Sequence, residues 1–151
     1  MNQAAFLPRP AARAILQGDE AHPDLRGEVL FSPYGSGTLV IARVVGLHLP
    51  GFLGFHIHTV GSCADGGDTP FSAAGGHYDP RDVPHPWHSG DLPPLLSSAQ
   101  GTALLEVYTD RFRPEEVVGR SVIIHERADD FHTQPSGDSG GRIACGVIQA
   151  V

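Results

Sequence analysis

Nine histidines occur in the 151 residues, and five of them, His56, His58, His77, His85 and His88, fall between positions 56 and 88. Neutral imidazole is the commonest metal-ligating side chain, so a cluster this dense points first to metal chemistry. In Gly54-Phe-His-Ile-His58 the two-residue repeat of a strand puts Phe55 and Ile57 on one face and His56 and His58 on the other. Two imidazoles side by side begin a metal site; without a metal they are two exposed histidines on a sheet surface. The string GGHYDPRDVPHPWHSGDLP then supplies His77, His85, His88 and Asp91. Three imidazoles and one carboxylate complete a tetrahedral set for Zn2+, whose structural sites are closed by four protein ligands. A metal-free loop has no packing reason to collect them. His125 stands apart in Ser121-Val-Ile-Ile-His-Glu126, where a lone strand histidine more often has a structural role. Ala128-Asp129-Asp130 follows it, however, and a metal-bound imidazole needs a carboxylate or carbonyl on its other nitrogen.

Short runs of alternating or β-branched apolar residues are available to position these groups: Ala14 to Gln17, Gly27 to Phe31, Thr38 to Val45, Gly54 to Val60, Thr102 to Tyr108, Ser121 to Glu126 and Arg142 to Gln149. Seven or eight short strands between turn signals predict an antiparallel sandwich or barrel. Gly61 to Pro94 and Arg127 to Gly141 have no period and are dense in Gly, Pro, Asp, Ser and His, as functional loops are. Pro114-Glu-Glu offers a short helical turn with acidic residues at its start. The length suits one domain, residues 1–151 with a core over about 14–149.

The charge balance excludes some partners. Ten Lys plus Arg against seventeen Asp plus Glu give a net charge of −7, which offers no support for a nucleic-acid surface or an anionic membrane patch. No run approaches the roughly 20 apolar residues a membrane helix needs, and prolines interrupt the first 20 residues where a signal peptide needs its apolar segment. The chain therefore reads as soluble, and as cytoplasmic or a processed exported form. Cys63 and Cys145 are the two cysteines; their count and spacing leave open one disulfide or two buried thiols.

Taken together and in order, GFHIH, GGHYDP, HSGDLP, VIIHERADD and GGRIACGVI resemble the copper-zinc superoxide dismutases, in particular bacterial ones, from about Ala14 to Ile148. The resemblance implies an all-β fold, an eight-stranded antiparallel Greek-key β-barrel or sandwich with two long functional loops, which dismutes superoxide to dioxygen and hydrogen peroxide. It implies that His56, His58, His77 and His125 bind copper and that His77, bridging the two ions, binds zinc with His85, His88 and Asp91. It further implies that Asp129 links a copper histidine to a zinc histidine, that Arg142 stands beside the open copper face, and that Cys63 and Cys145 form a disulfide. A homodimer is left open, because the stretch between His58 and His77 is longer than in the eukaryotic enzymes and their dimer geometry does not carry over. Thr59 stands where many relatives have an acidic residue, and the loop from Arg127 to Gly141 has no lysine. Steering of the anion would rest on Arg142, helped by Arg127.

The remaining histidines have plainer readings: His22 solvated in a turn, His48 exposed near a strand end, His132 in the second loop. Trp87 is expected to cover its loop from water, and Gly75, Gly76, Gly140 and Gly141 to serve turns and close approaches. The competing function is a non-catalytic copper/zinc-binding relative that delivers or stores metal. Retention of all four copper-side histidines and of Arg142 favours the enzyme.

Overall fold

The computed structural model describes residues 7–151. It contains nine strands: β1 (Ala12–Gly18), β2 (Arg26–Tyr34), β3 (Gly37–Val45), β4 (Gly51–Leu53), β5 (Phe55–His58), β6 (Leu95–Ser97), β7 (Ala103–Thr109), β8 (Ser121–His125) and β9 (Arg142–Ala150). One helical turn, α1 (Pro114–Val117), and a 3-10 turn at Ser72–Ala74 complete the elements. Seven strands form one antiparallel sheet in the order β5-β8-β9-β1-β2-β3-β7, and β4 pairs with β6. β6 lies alongside β7, and β4 runs into β5 past the single residue Gly54, so the path of strands curls back to its start. Counting β4 and β5 as one interrupted strand gives the eight expected.

Alternation governs the strands whose outer face meets water. Along β1 the residues alternate buried and exposed, with Ala12, Ala14 and Leu16 inward. The core they join includes Val29, Phe31, Val40, Phe55, Phe112, Val117, Val122 and Ile148, all at most 2% exposed. Phe31 and Phe112 meet at a centroid distance of 6.3 Å with rings inclined by 57°, a tilted arrangement aromatic pairs favour. A hairpin of two loop residues joins β2 to β3, where Gly35 takes φ 55° as the turn demands. β5 and β8 break the alternation, because every residue of both is buried. Their second face is covered by the two long loops, and the histidines lie under that cover.

α1 starts as Pro114-Glu-Glu suggests. Pro114 fills the first turn, and the Glu116 carboxylate accepts the Arg113 N–H, which satisfies a donor the helix leaves open. Cys63 and Cys145 are joined in a disulfide. It fastens the first long loop to β9, over a small second core of Phe71, Ala74 and Ile123.

Candidate metal centre

β5 positions the site from both of its edges. One edge pairs with β8. The other takes loop residues as isolated bridges, with His58 opposite His77 and His56 opposite Asp91. The loop is tied there by the Tyr78 N–H to the Ile57 carbonyl (2.8 Å) and by the Ile57 N–H to the Gly90 carbonyl (2.9 Å). A side chain at Gly90 would collide with the Ile57 carbonyl, so glycine is needed for this approach. β8 ends at His125, whose N–H bonds the Gly54 carbonyl at 2.8 Å. The break between β4 and β5 is thus where His125 is anchored.

Two groups of ligand atoms result. His56, His58, His77 and His125 offer one set, and His77, His85, His88 and Asp91 the other; within each set the ligand atoms all lie within 4.8 Å of one another. His77 belongs to both. Its ring lies 4.1 Å from that of His56, 4.9 Å from His58 and 5.3 Å from His88, centroid to centroid. Sequence distance of up to 69 residues separates members of one set, so the fold, and no local motif, assembles them.

The nitrogens divide by partner. His58 bonds the Gly75 carbonyl through Nδ1 (2.8 Å), which turns Nε2 toward His125 Nε2 at 3.3 Å. His125 meets the Gly140 carbonyl through Nδ1 at 3.2 Å. His56 Nδ1 and His77 Nε2 are buried with no partner at all. In the other set His77 Nδ1 and Asp91 Oδ1 are 2.7 Å apart, and His88 Nδ1 stands 3.3 Å from His77 Nδ1. Asp91 Oδ2 lies 3.1 Å from both His85 Nδ1 and His88 Nδ1. Orphaned buried nitrogens are costly, and two nitrogens facing each other without a proton between them repel. A cation in each set removes both problems, so the donor sets fit two metal ions.

Asp129 connects the sets from behind. Its Oδ2 is 2.8 Å from His56 Nε2 and its Oδ1 is 2.8 Å from His85 Nε2. The carboxylate therefore fixes which nitrogen of each ring stays free for a metal. Gly137 takes φ 71° against it, and a Cβ there would strike the Asp129 carboxylate. Asp129 does not serve His125, whose partner is a carbonyl; His125 is the last residue of β8, and the turn after it carries Asp129 away.

Burial governs the charges. It holds His125 down at about 3 and His77 at about 4, with neighbouring imidazoles adding to the effect and the Asp91 hydrogen bond opposing it at His77. Burial also takes His58 well below the usual range. At Asp129 burial pushes the carboxyl up, but the hydrogen bonds from His56, His85 and the Phe131 N–H outweigh it and leave about 2. The metal-free protein is consequently expected to lose stability on acidification. The unfolded chain binds protons from about pH 6.5 downward, while folded His77 and His125 refuse them until about 4 and 3. Stability is full above pH 6.5 and falls by about 1.4 kcal/mol per pH unit for each such group within that window. Thermal unfolding of metal-free protein at stepped pH tests this; a midpoint constant from about pH 7 to about pH 4 contradicts it.

The other singled-out residues are placed as follows. Arg142, the first residue of β9, donates from Nη1 to the Phe71 carbonyl (2.8 Å) and from Nη2 to the Gly75 carbonyl (2.6 Å). The Gly75 carbonyl is also the partner of His58, so Arg142 is held beside the first set. Arg127 is exposed and pairs with Asp138 at 3.0 Å and Glu126 at 3.7 Å, so two carboxylates offset its charge. His22 is bonded to Asp19 rather than merely solvated. His48 and His132 are exposed and stand outside both sets. Trp87 is 60% exposed; it covers the Arg111 guanidinium at 5.8 Å and leaves most of its own ring in water. Arg111 was not marked by the sequence, because its partners are backbone carbonyls and no motif announces them.

The chain is similar to known proteins. The family model for copper/zinc superoxide dismutase matches residues 25–148. The chain belongs to the copper/zinc superoxide dismutase family. A copper-zinc superoxide dismutase of Deinococcus radiodurans is 40% identical, the match covering 100% of this chain and 91% of that protein. The solved copper/zinc superoxide dismutase of Brucella abortus superposes with a TM-score of 0.79 at 32% identity, over 90% of this chain and 98% of that one. The clock protein EA4 superposes with a TM-score of 0.80 at 27% identity, over 96% of this chain and 98% of its own. Among the described residues, no helix is long and apolar enough to cross a membrane.

Proposed function

We propose that this chain dismutes superoxide, two anions and two protons giving one dioxygen and one hydrogen peroxide. His56, His58, His77 and His125 hold copper, and His77, His85, His88 and Asp91 hold zinc. The observation that carries this reading is the position of His77, whose Nε2 lies buried and unpartnered on one side while Nδ1 joins Asp91 and His88 on the other. Bound copper supplies the one-electron couple that dismutation needs, and zinc a fixed charge without redox chemistry.

The chain's own residues do the rest. Asp129 keeps the His56 and His85 rings oriented, and the Gly75 and Gly140 carbonyls do so for His58 and His125. His77 Nε2 is an atom that can hold one of the two protons and return it to departing peroxide. Arg142 keeps a permanent planar charge beside the site, a shape suited to docking a small anion. The net charge of −7 repels superoxide only within the screening length, about 8 to 10 Å at cellular salt.

The test is metal analysis and pulse-radiolysis assay on one copper-reconstituted sample. One copper and one zinc per chain with turnover is the expected result. Full occupancy without turnover would leave a metal-binding protein and no enzyme. Arg142→Ala is expected to keep both metals and lower kcat/KM by about 10- to 100-fold; an unchanged rate removes Arg142 from the mechanism.

A further inference from the structure

Arg111 lies between β7 and α1, on a segment that contributes nothing to either ligand set. Its Nη1 stands 3.0 Å from the Pro86 carbonyl, 3.0 Å from the His88 carbonyl and 3.3 Å from the Asp91 carbonyl. Three carbonyls from one short stretch of loop thus converge on a single guanidinium nitrogen. The arginine ion pairs among the described residues are Arg113–Glu115, Arg127–Glu126 and Arg127–Asp138, so Arg111 has no carboxylate partner. The Trp87 ring lies 5.8 Å from its guanidinium carbon.

We propose that Arg111 is a positioning residue for zinc, acting through the backbone of the loop that carries His88 and Asp91. This rests on the assignment of zinc to His77, His85, His88 and Asp91. The stretch from Pro86 to Asp91 belongs to no strand or helix; apart from Arg111 it is tied by Trp87 N–H to the Pro84 carbonyl, by Gly90 to Tyr78 and Ile57, by the bridge of Asp91 to His56, and by the Arg81 guanidinium on the Trp87 carbonyl. Arg111 adds three contacts to these few tethers; without them the metal would have to order more of the stretch, at a cost to affinity. Arg111 orders it beforehand. A guanidinium does this without titrating, since it remains charged at any working pH. The carbonyls of His88 and Asp91 are fixed from the side of β7, and their side chains meet His77 from the same short stretch. Arg111 touches no ligand atom, so its effect must appear as metal affinity, and it must appear more strongly for zinc than for copper.

The test compares full-length, disulfide-intact wild type, Arg111→Met and Arg111→Lys. The methionine keeps an apolar stem and no donors; the lysine restores one charged nitrogen with three donors. Zinc affinity and copper affinity are each read by chelator competition on protein free of the other metal, so that coupling between the sets does not enter, and the geometry of the zinc set by the visible spectrum of Co2+ placed there. Arg111→Met is expected to weaken zinc binding by about 10- to 100-fold, the range for residues that orient metal ligands, with a changed Co2+ spectrum and unchanged copper affinity. Arg111→Lys is expected to recover part of the loss. Equal zinc affinity in Arg111→Met and wild type overturns the proposal, whatever happens to the melting temperature. So does a loss shared equally by copper and zinc, which marks general loosening. Failure of wild type itself to bind zinc at this set overturns the underlying assignment, and the wild-type arm separates that result from the others.

Discussion

Replacing His77 with alanine is expected to abolish zinc retention and to lower the dismutation rate by at least about 100-fold. His77 is the one residue common to both ligand sets, so its loss removes a donor from each. Substitution of a residue that only orients a ligand already costs about 10- to 100-fold in metal affinity or activity; loss of a ligand shared by two ions starts from the upper end of that range. The fold should survive, because the ring contributes to no part of the apolar core, and the backbone bridge between positions 58 and 77 does not need the imidazole. Metal content after dialysis and kcat/KM by pulse radiolysis decide the matter. A variant that still retains one zinc per chain and turns over at a tenth of the wild-type rate or better would show that the two sets do not share this ring.

Loss of the disulfide should have the largest effect on stability. Cys63 and Cys145 are separated by 82 residues, and in the chain-entropy model closing a loop of that length stabilises the folded state by about 4 to 5 kcal/mol. That is a large part of the 5 to 15 kcal/mol typical of a domain. The double variant Cys63→Ser, Cys145→Ser is expected to melt about 10 to 15 °C below wild type, measured metal-free so that ion binding does not mask the difference. A second effect follows from position. The loop that Cys63 fastens supplies the Phe71 and Gly75 carbonyls that hold Arg142, and Gly75 also holds His58. The metal-loaded variant should therefore also fall in kcat/KM. A melting temperature within a few degrees of wild type would mean that the loop is held by the packing of its own Phe71 and Ala74 on Ile123.

Much of the site was legible because it was written in side-chain types. His56 and His58 share a strand face through period two, and His77, His85, His88 and Asp91 stand within one loop, so chemistry and spacing coincide. What the sequence concealed was cover and closure. Alternation predicted an outward face for His56 and His58, yet both are at most 1% exposed, because loops from distant parts of the chain lie over β5. The strands β4 and β6 escaped notice because three residues are too few to show a period, and Pro50, Pro93 and Pro94 argue against strand nearby. β2 runs beyond Phe31 to Tyr34, through Pro33, for a reason visible only in register. β1 stops opposite Phe31, so residues 32–34 have a free edge, where proline forfeits no hydrogen bond. Arg111 left no trace at all, since a clamp made of backbone carbonyls requires no particular residue on the other side.

One carboxylate has an implication for how the protein is filled. Asp129 grips His56 with one oxygen and His85 with the other, so immobilising either ring limits the freedom of the carboxylate that steadies its counterpart. Occupying one site should then prepare the other, and the preference must be mutual, since coupling between two binding equilibria is the same in both directions. A cell short of one of the two metals would see the second held less firmly as well.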